Sequence, residues 1–281
     1  MIPTVTPADG LFGPTSITWR VHTQIPALPA ALRAFQLQAL HPRTIRGMAR
    51  HCRLDDPAAE RDRLRRQLGF VALRTFGTRE QAERAGERVR ALHARLVGLD
   101  PGTGALFRLD EEENLRWTHC AETASHLELA LRSGVPLTPG ERDAYVAEQR
   151  RSARLVGLED APGTVADLER RIEQTRPLLA VTDEAREALR ASTRPRLSLR
   201  PFGLGSLPAA GALAFATLPA WARSLYGFPG DEAAEIAANA ALTALRAATL
   251  ALPERLVAPE ISAARLLMRT AAETGGAGVA A

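Results

Sequence analysis

The chain contains no lysine: of its 281 residues, all 36 Lys/Arg positions are arginine, set against 32 acids. That absence excludes several chemistries. A P-loop NTPase and a protein kinase each need a lysine on the phosphates, and a pyridoxal enzyme or Schiff-base aldolase needs a nucleophilic amine that guanidinium cannot replace. Drift towards arginine codons in a GC-rich genome accounts for most of the bias, and the exclusions hold whatever its cause. Cysteine is also scarce. Cys52 and Cys120 are the only two, far apart, each directly after a histidine, which argues against a disulfide framework and for a reducing, cytoplasmic setting. Aromatic residues make up only 5%, and abundant Ala, Leu and Arg favour helix over sheet.

A single-sign basic stripe is missing as well. The net charge is +4 and the pI about 9.9, but arginines alternate with acids, as in REQAERAGERVR, so they read as solvated helix faces and nucleic-acid binding is not expected. The first twenty residues show neither a basic n-region nor an apolar h-region, and no secretory signal is read there. One charge-free run, residues 202–221, reaches the length of a membrane span. Its prolines, glycines and alanines make it weakly hydrophobic, so it reads as buried or as a peripheral membrane contact, a true span being the minor alternative.

What is present is helical punctuation. Residues 1–17 form an irregular lead-in, 18–273 a single all-α domain and 274–281 a disordered Gly/Ala tail. Pro26 to Leu40 is periodic and stops before Pro42, and a short helix follows to about Cys52. Asp56-Pro57 opens a helix ending at Gly77, and Thr78 with Gln81 forms a capping box for a helix expected to end at a left-handed Gly98. Further helices are read from Asp110 to Gly134, Thr138 to Gly157, Thr164 to Arg176 and Thr182 to Arg190.

Histidine confines the chemistry. All six, at 22, 41, 51, 93, 119 and 126, fall in the first 126 residues. His93 sits in the stripe of Ala82, Ala85, Val89, Leu92, Leu96 and Val97, which suits a haem or metal ligand, although a core histidine bonded to a carbonyl is the commoner outcome of such a pattern. His119, Glu122 and His126 share a face of the next helix, a spacing that could hold Zn, Fe or Mn in a non-haem metal enzyme. His41 precedes a forced helix break. No G-x-S-x-G elbow, CxxC pair or phosphate-binding glycine loop occurs.

The order Ser16-Ile17-Thr18-Trp19-Arg20-Val21-His22, Leu40-His41-Pro42, Arg63-Leu64-Arg65-Arg66, Phe76-Gly77-Thr78, Val89-Arg90-Ala91-Leu92-His93 and Trp117-Thr118-His119 resembles the family of latex-clearing rubber oxygenases and the mycophenolic-acid-pathway oxygenase. The likeness extends over about residues 14–230 and takes in Leu137-Thr138-Pro139 through Tyr145 and Leu225-Tyr226-Gly227. It implies a globin-like all-α core with haem b, O2 as co-substrate and a hydrophobic, terpenoid or polyketide, substrate cleaved at a C=C bond. His93 would be the proximal iron ligand. Arg63, Arg66 and Gln67 stand where the rubber enzymes carry an Arg-x-x-Lys-Thr pattern. Arg20, His41 and His119 are the remaining cofactor contacts the resemblance suggests, Arg20 as a propionate partner. An arginine at 66 cannot shed its proton to cap iron as a lysine can, so an open or water-bound distal face is expected. A non-catalytic haem or lipid carrier of the same fold is the alternative.

Overall fold

Local capping chemistry sets most of the helix boundaries in the structure, a computed structural model that describes residues 10–24, 27–193, 210–253 and 256–277. Ser16 caps α1 (Ile17–His22), its hydroxyl accepting from the Trp19 N–H. α2 (Ala27–Gln38) ends ahead of Pro42, which opens α3 (Pro42–Ala49). Asp56 accepts from the Ala58 N–H at 2.8 Å to start α4 (Pro57–Phe76). Thr78 and Gln81 exchange hydrogen bonds, a complete capping box for α5 (Arg79–His93). α6 (Glu112–Arg132) runs to Gly134, and Thr138 with Glu141 forms a second capping box for α7 (Pro139–Leu155), closed at Gly157. Both glycines have positive φ, +82° and +91°, where a Cβ would be strained. α8 (Val165–Thr175), a 3₁₀ turn and α9 (Asp183–Thr193) follow. α10 (Ala210–Ala216), α11 (Ala220–Leu225), α12 (Glu232–Ala251) and α13 (Pro259–Ala277) complete the described chain.

The fold is all-α apart from one short hairpin among the described residues. That hairpin corrects the reading of the 78–98 helix. α5 stops at His93, and Val97–Leu99 (β1) pairs antiparallel with Leu106–Arg108 (β2), Gly98 opposite Phe107. The reason is contact: a Cβ on Gly98 would lie 2.2 Å from the Phe107 ring, so this glycine serves close approach, not a left-handed cap. The left-handed glycine of this segment is Gly104, in the hairpin turn.

Three other stretches gain detail. The described part of the lead-in is anchored, with Leu11 and Phe12 buried beside Trp19 and Phe76 and Gly10 bridged to Thr78. The described part of the 202–221 run is two short helices parted at Pro219, and no helix among the described residues is long and apolar enough to cross a membrane. Residues 202–209 lie outside the described residues. The Gly/Ala tail is helical as far as Ala277, as the end of α13, and residues 278–281 lie outside the described ones.

α2 is the axle of the core. Every residue from Leu28 to Leu37 is buried, and α6 and α10 pack along it. Two of those residues are polar, and their donors are engaged. The Arg33 guanidinium donates to the Thr217 carbonyl at 3.1 Å and the Ser125 hydroxyl at 2.9 Å, and Gln36 donates to Ser192 and to the Gly211 carbonyl. Burial lowers the Arg33 pKa to about 10, which leaves it charged at neutral pH.

Candidate functional site

The helices bring polar side chains together in the core, and a second set of candidates lies towards one end of the molecule. The core group lies between α1, α4, α6 and α7. The His22 and His126 rings are stacked, with centroids 4.6 Å apart and planes within 4°. His22 Nε2 lies 3.1 Å from the Tyr145 hydroxyl, and His126 Nδ1 lies 3.0 Å from the Glu122 carbonyl oxygen, to which it donates. His119 Nε2 is 3.5 Å from the Thr123 hydroxyl one turn on. The Glu122 carboxylate is ion-paired to Arg74 of α4.

Burial governs how this cluster titrates. It pushes His22 well below the usual imidazole value, with His126 and Arg74 adding to the effect, and pushes His119 down to about 4 against the pull of Glu122. His126 is lowered by burial as well. Burial, the largest single influence, would raise Glu122, but the Arg74 guanidinium, with His126 and His119 adding to it, holds the carboxyl below its ordinary range. At neutral pH the cluster is therefore three neutral imidazoles around one compensated ion pair.

The three residues of the non-haem metal reading, His119, Glu122 and His126, do share one buried face of α6, with the carboxylate already paired. Glu122 is committed to Arg74. No group of three or more His, Cys, Asp or Glu among the described residues is placed to hold a metal ion.

The second set lies towards the end of the molecule where α3, α4 and α5 meet the hairpin. The short link at Gly77–Thr78 lets α5 pack back against α4. Arg63 lies about 14 residues before that link and His93 about 15 after it, so at about 1.5 Å per residue both sit roughly 21–23 Å from it. The α3–α4 connection closes this end. Cys52 lies within the electrostatic reach of Arg63, Glu60 and Arg66, and the adjacent His51 bonds the backbone of Val97, four residues past His93.

His93 is half-buried there. Its Nδ1 is fully enclosed without a hydrogen-bond partner, and burial, opposed by Asp110, lowers its pKa, so the ring is neutral. On α4, Arg63 donates to both carboxylate oxygens of the buried Glu60 at 2.6 and 2.7 Å and to Gln67 at 3.1 Å, while Phe35 covers its guanidinium at 3.7 Å. Arg66 points away and is exposed.

The other sequence candidates are placed elsewhere. Arg20 is ion-paired to Glu141 and donates to the Pro136 carbonyl, which leaves its planar fork engaged within the protein. His41 caps α3, buried against Trp117, with Nε2 3.3 Å from Glu113 and Nδ1 unpartnered. A separate cleft of about 600 Å³, lined by Glu173, Arg176, Trp221 and Leu225 among others, includes none of the candidates.

Sequence reasoning missed Arg74 and Glu60. Both fall on the inward stripe of α4 with Leu64, Leu68 and Val71, and a charged residue on such a stripe is the signal that marks them.

The helical fold and its buried polar sites define an oxygenase catalytic domain once the chain is set beside known proteins. Residues 19–248 match the family described as ER-bound oxygenase mpaB/B'/rubber oxygenase, catalytic domain. The match spans most of the sequence, and the chain belongs to that family. Among solved structures it is similar to that of latex clearing protein LCP in the closed state, with TM-score 0.58 and 17% identity over 90% of this chain and 73% of that one. At this identity the likeness shows the fold alone. No curated protein matches the chain in sequence.

Proposed function

We propose that the chain is a haem b-dependent oxygenase that uses O2 on a hydrophobic small molecule of terpenoid or polyketide type, with His93 as the proximal iron ligand. The observation that carries this reading, beside family membership, is the His93 ring: neutral, half-buried, with an enclosed nitrogen that has no protein partner, a feature shared with His41, whose other ring nitrogen is taken up by Glu113. A buried imidazole nitrogen without a partner is costly unless something else occupies it, and a neutral imidazole is the form that ligates iron. When bound, haem supplies a redox-active iron at which O2 is activated for transfer to the substrate, cleavage of a C=C bond being the reaction proposed.

The chain's own residues do the rest. His93 would hold the iron. Arg63 and Gln67 supply fixed N–H and amide groups on α4. The exposed position of Arg66 leaves Arg63 and Gln67 as the polar contribution of that helix. His119 is assigned a structural role within α6, its buried neutral ring lying against the Thr123 hydroxyl one turn on.

Absorption of the purified protein tests the reading. A Soret band with stoichiometric iron is expected, lost in His93→Ala and retained in His41→Ala. A colourless protein after growth with haem precursor would overturn it, and loss of haem in His119→Ala with retention in His93→Ala would move the ligand.

A further inference from the structure

We propose that Glu60 is a positioning residue for the oxygenase site: it locks Arg63 in one orientation and cancels its charge, so that Arg63 serves as a directed hydrogen-bond donor and not as a net cation. The proposal rests on the haem reading above and adds to it a residue that no motif marks. Glu60 lies in the first turn of α4 and is 3% exposed, a rare place for a carboxylate unless it is paired. Its two oxygens take the Nε and Nη2 protons of Arg63, the planar two-point pairing that fixes a guanidinium most firmly. Gln67 takes an Nη1 proton, and Phe35 of α2 lies flat against the remaining face.

Three of the five guanidinium protons are thus spent, and two are left, one on each terminal nitrogen. With its rotamer held from three sides, Arg63 can present those two protons only along directions set by the pair. The ligand this suits is a small polar one, such as dioxygen or another diatomic, which needs an aimed N–H more than a positive charge. The i, i+3 spacing of Glu60 and Arg63 keeps both on one face of α4, so the pair moves with the helix as a unit.

Carbon monoxide on the reduced holoprotein reads this directly, because its C–O stretch falls as the surrounding field becomes more positive. Glu60→Gln removes the countercharge and should shift the stretch to lower wavenumber. Arg63→Met should shift it upward, and the double variant should match Arg63→Met alone. Glu60→Asp, which keeps the charge on a shorter arm, should fold and restore most of the wild-type position if Glu60→Gln proves unstable. A merely structural role would lower the melting temperature of these variants and leave the stretch in place, and that result would overturn the proposal while leaving the haem reading intact. Absence of a Soret band in the wild-type protein would instead remove the haem reading and this proposal together.

Discussion

His119 should make the fold acid-sensitive, by an amount the structure fixes. Its pKa is about 4 in the folded chain against 6.5 when unfolded, because burial penalises the charged ring. The unfolded chain therefore binds more protons between these values, and stability falls as the pH is lowered through 6.5 and stops falling below 4. At about 1.4 kcal/mol per pKa unit, the fall from pH 7 to pH 5 removes about 2 kcal/mol through this residue alone. His22 and His126 are lowered too and act in the same direction. Glu122 belongs to a different window: its pKa is depressed, so its contribution is present above the ordinary carboxylate range and is lost only below it. Urea unfolding of wild type and His119→Gln at pH 7, 6 and 5 separates the contributions. The variant should lose about 2 kcal/mol less than wild type over that interval. Parallel stability–pH curves for the two proteins would refute the assignment of a neutral, desolvated His119.

Breaking the Arg74–Glu122 pair from one side should be severe. Arg74→Met leaves an uncompensated interior carboxylate and should cost about 3–5 kcal/mol in denaturant unfolding at pH 7, whereas Arg74→Met with Glu122→Leu should recover most of that loss. Two glycines should respond in opposite senses to alanine. At Gly86 the new Cβ would meet the Leu155 carbonyl oxygen at 2.5 Å, so Gly86→Ala should destabilise by about 1–3 kcal/mol. At Gly69, within α4, nothing lies within 4 Å, so Gly69→Ala should stabilise by about 0.5–1 kcal/mol, read as a higher melting temperature.

The parts of the fold that could be read from the sequence are those determined by neighbours in the chain. Asp56, Thr78 and Thr138 each satisfy N–H groups within three residues, so the starts of α4, α5 and α7 are visible without tertiary information. The end of α5 is not, because it depends on Phe107 meeting Gly98 across a hairpin, a contact that periodicity does not register. The candidate site divides in the same way. His119, Glu122 and His126 share a helix face as their spacing requires, but Arg74 arrives from another helix and changes what that face can do. The stripe containing His93 is also weaker than its pattern suggests, since Leu92 is half exposed and the firmly buried part of α5 is Ala82, Ala85 and Gly86.

A helix with no solvent side has a kinetic consequence. Because Leu28 through Leu37 are covered on every face, α2 cannot fray towards water without parting from α6 and α10 together. Its amide protons should therefore exchange with deuterium only when the whole domain opens, and their rates would report the global unfolding free energy. Arg33 and Gln36 add a second property. Apolar neighbours alone would tolerate a rotation of this rod about its axis, but two polar teeth engaged with Thr217, Ser125, Ser192 and Gly211 give it one angular setting, as a key fixes a shaft.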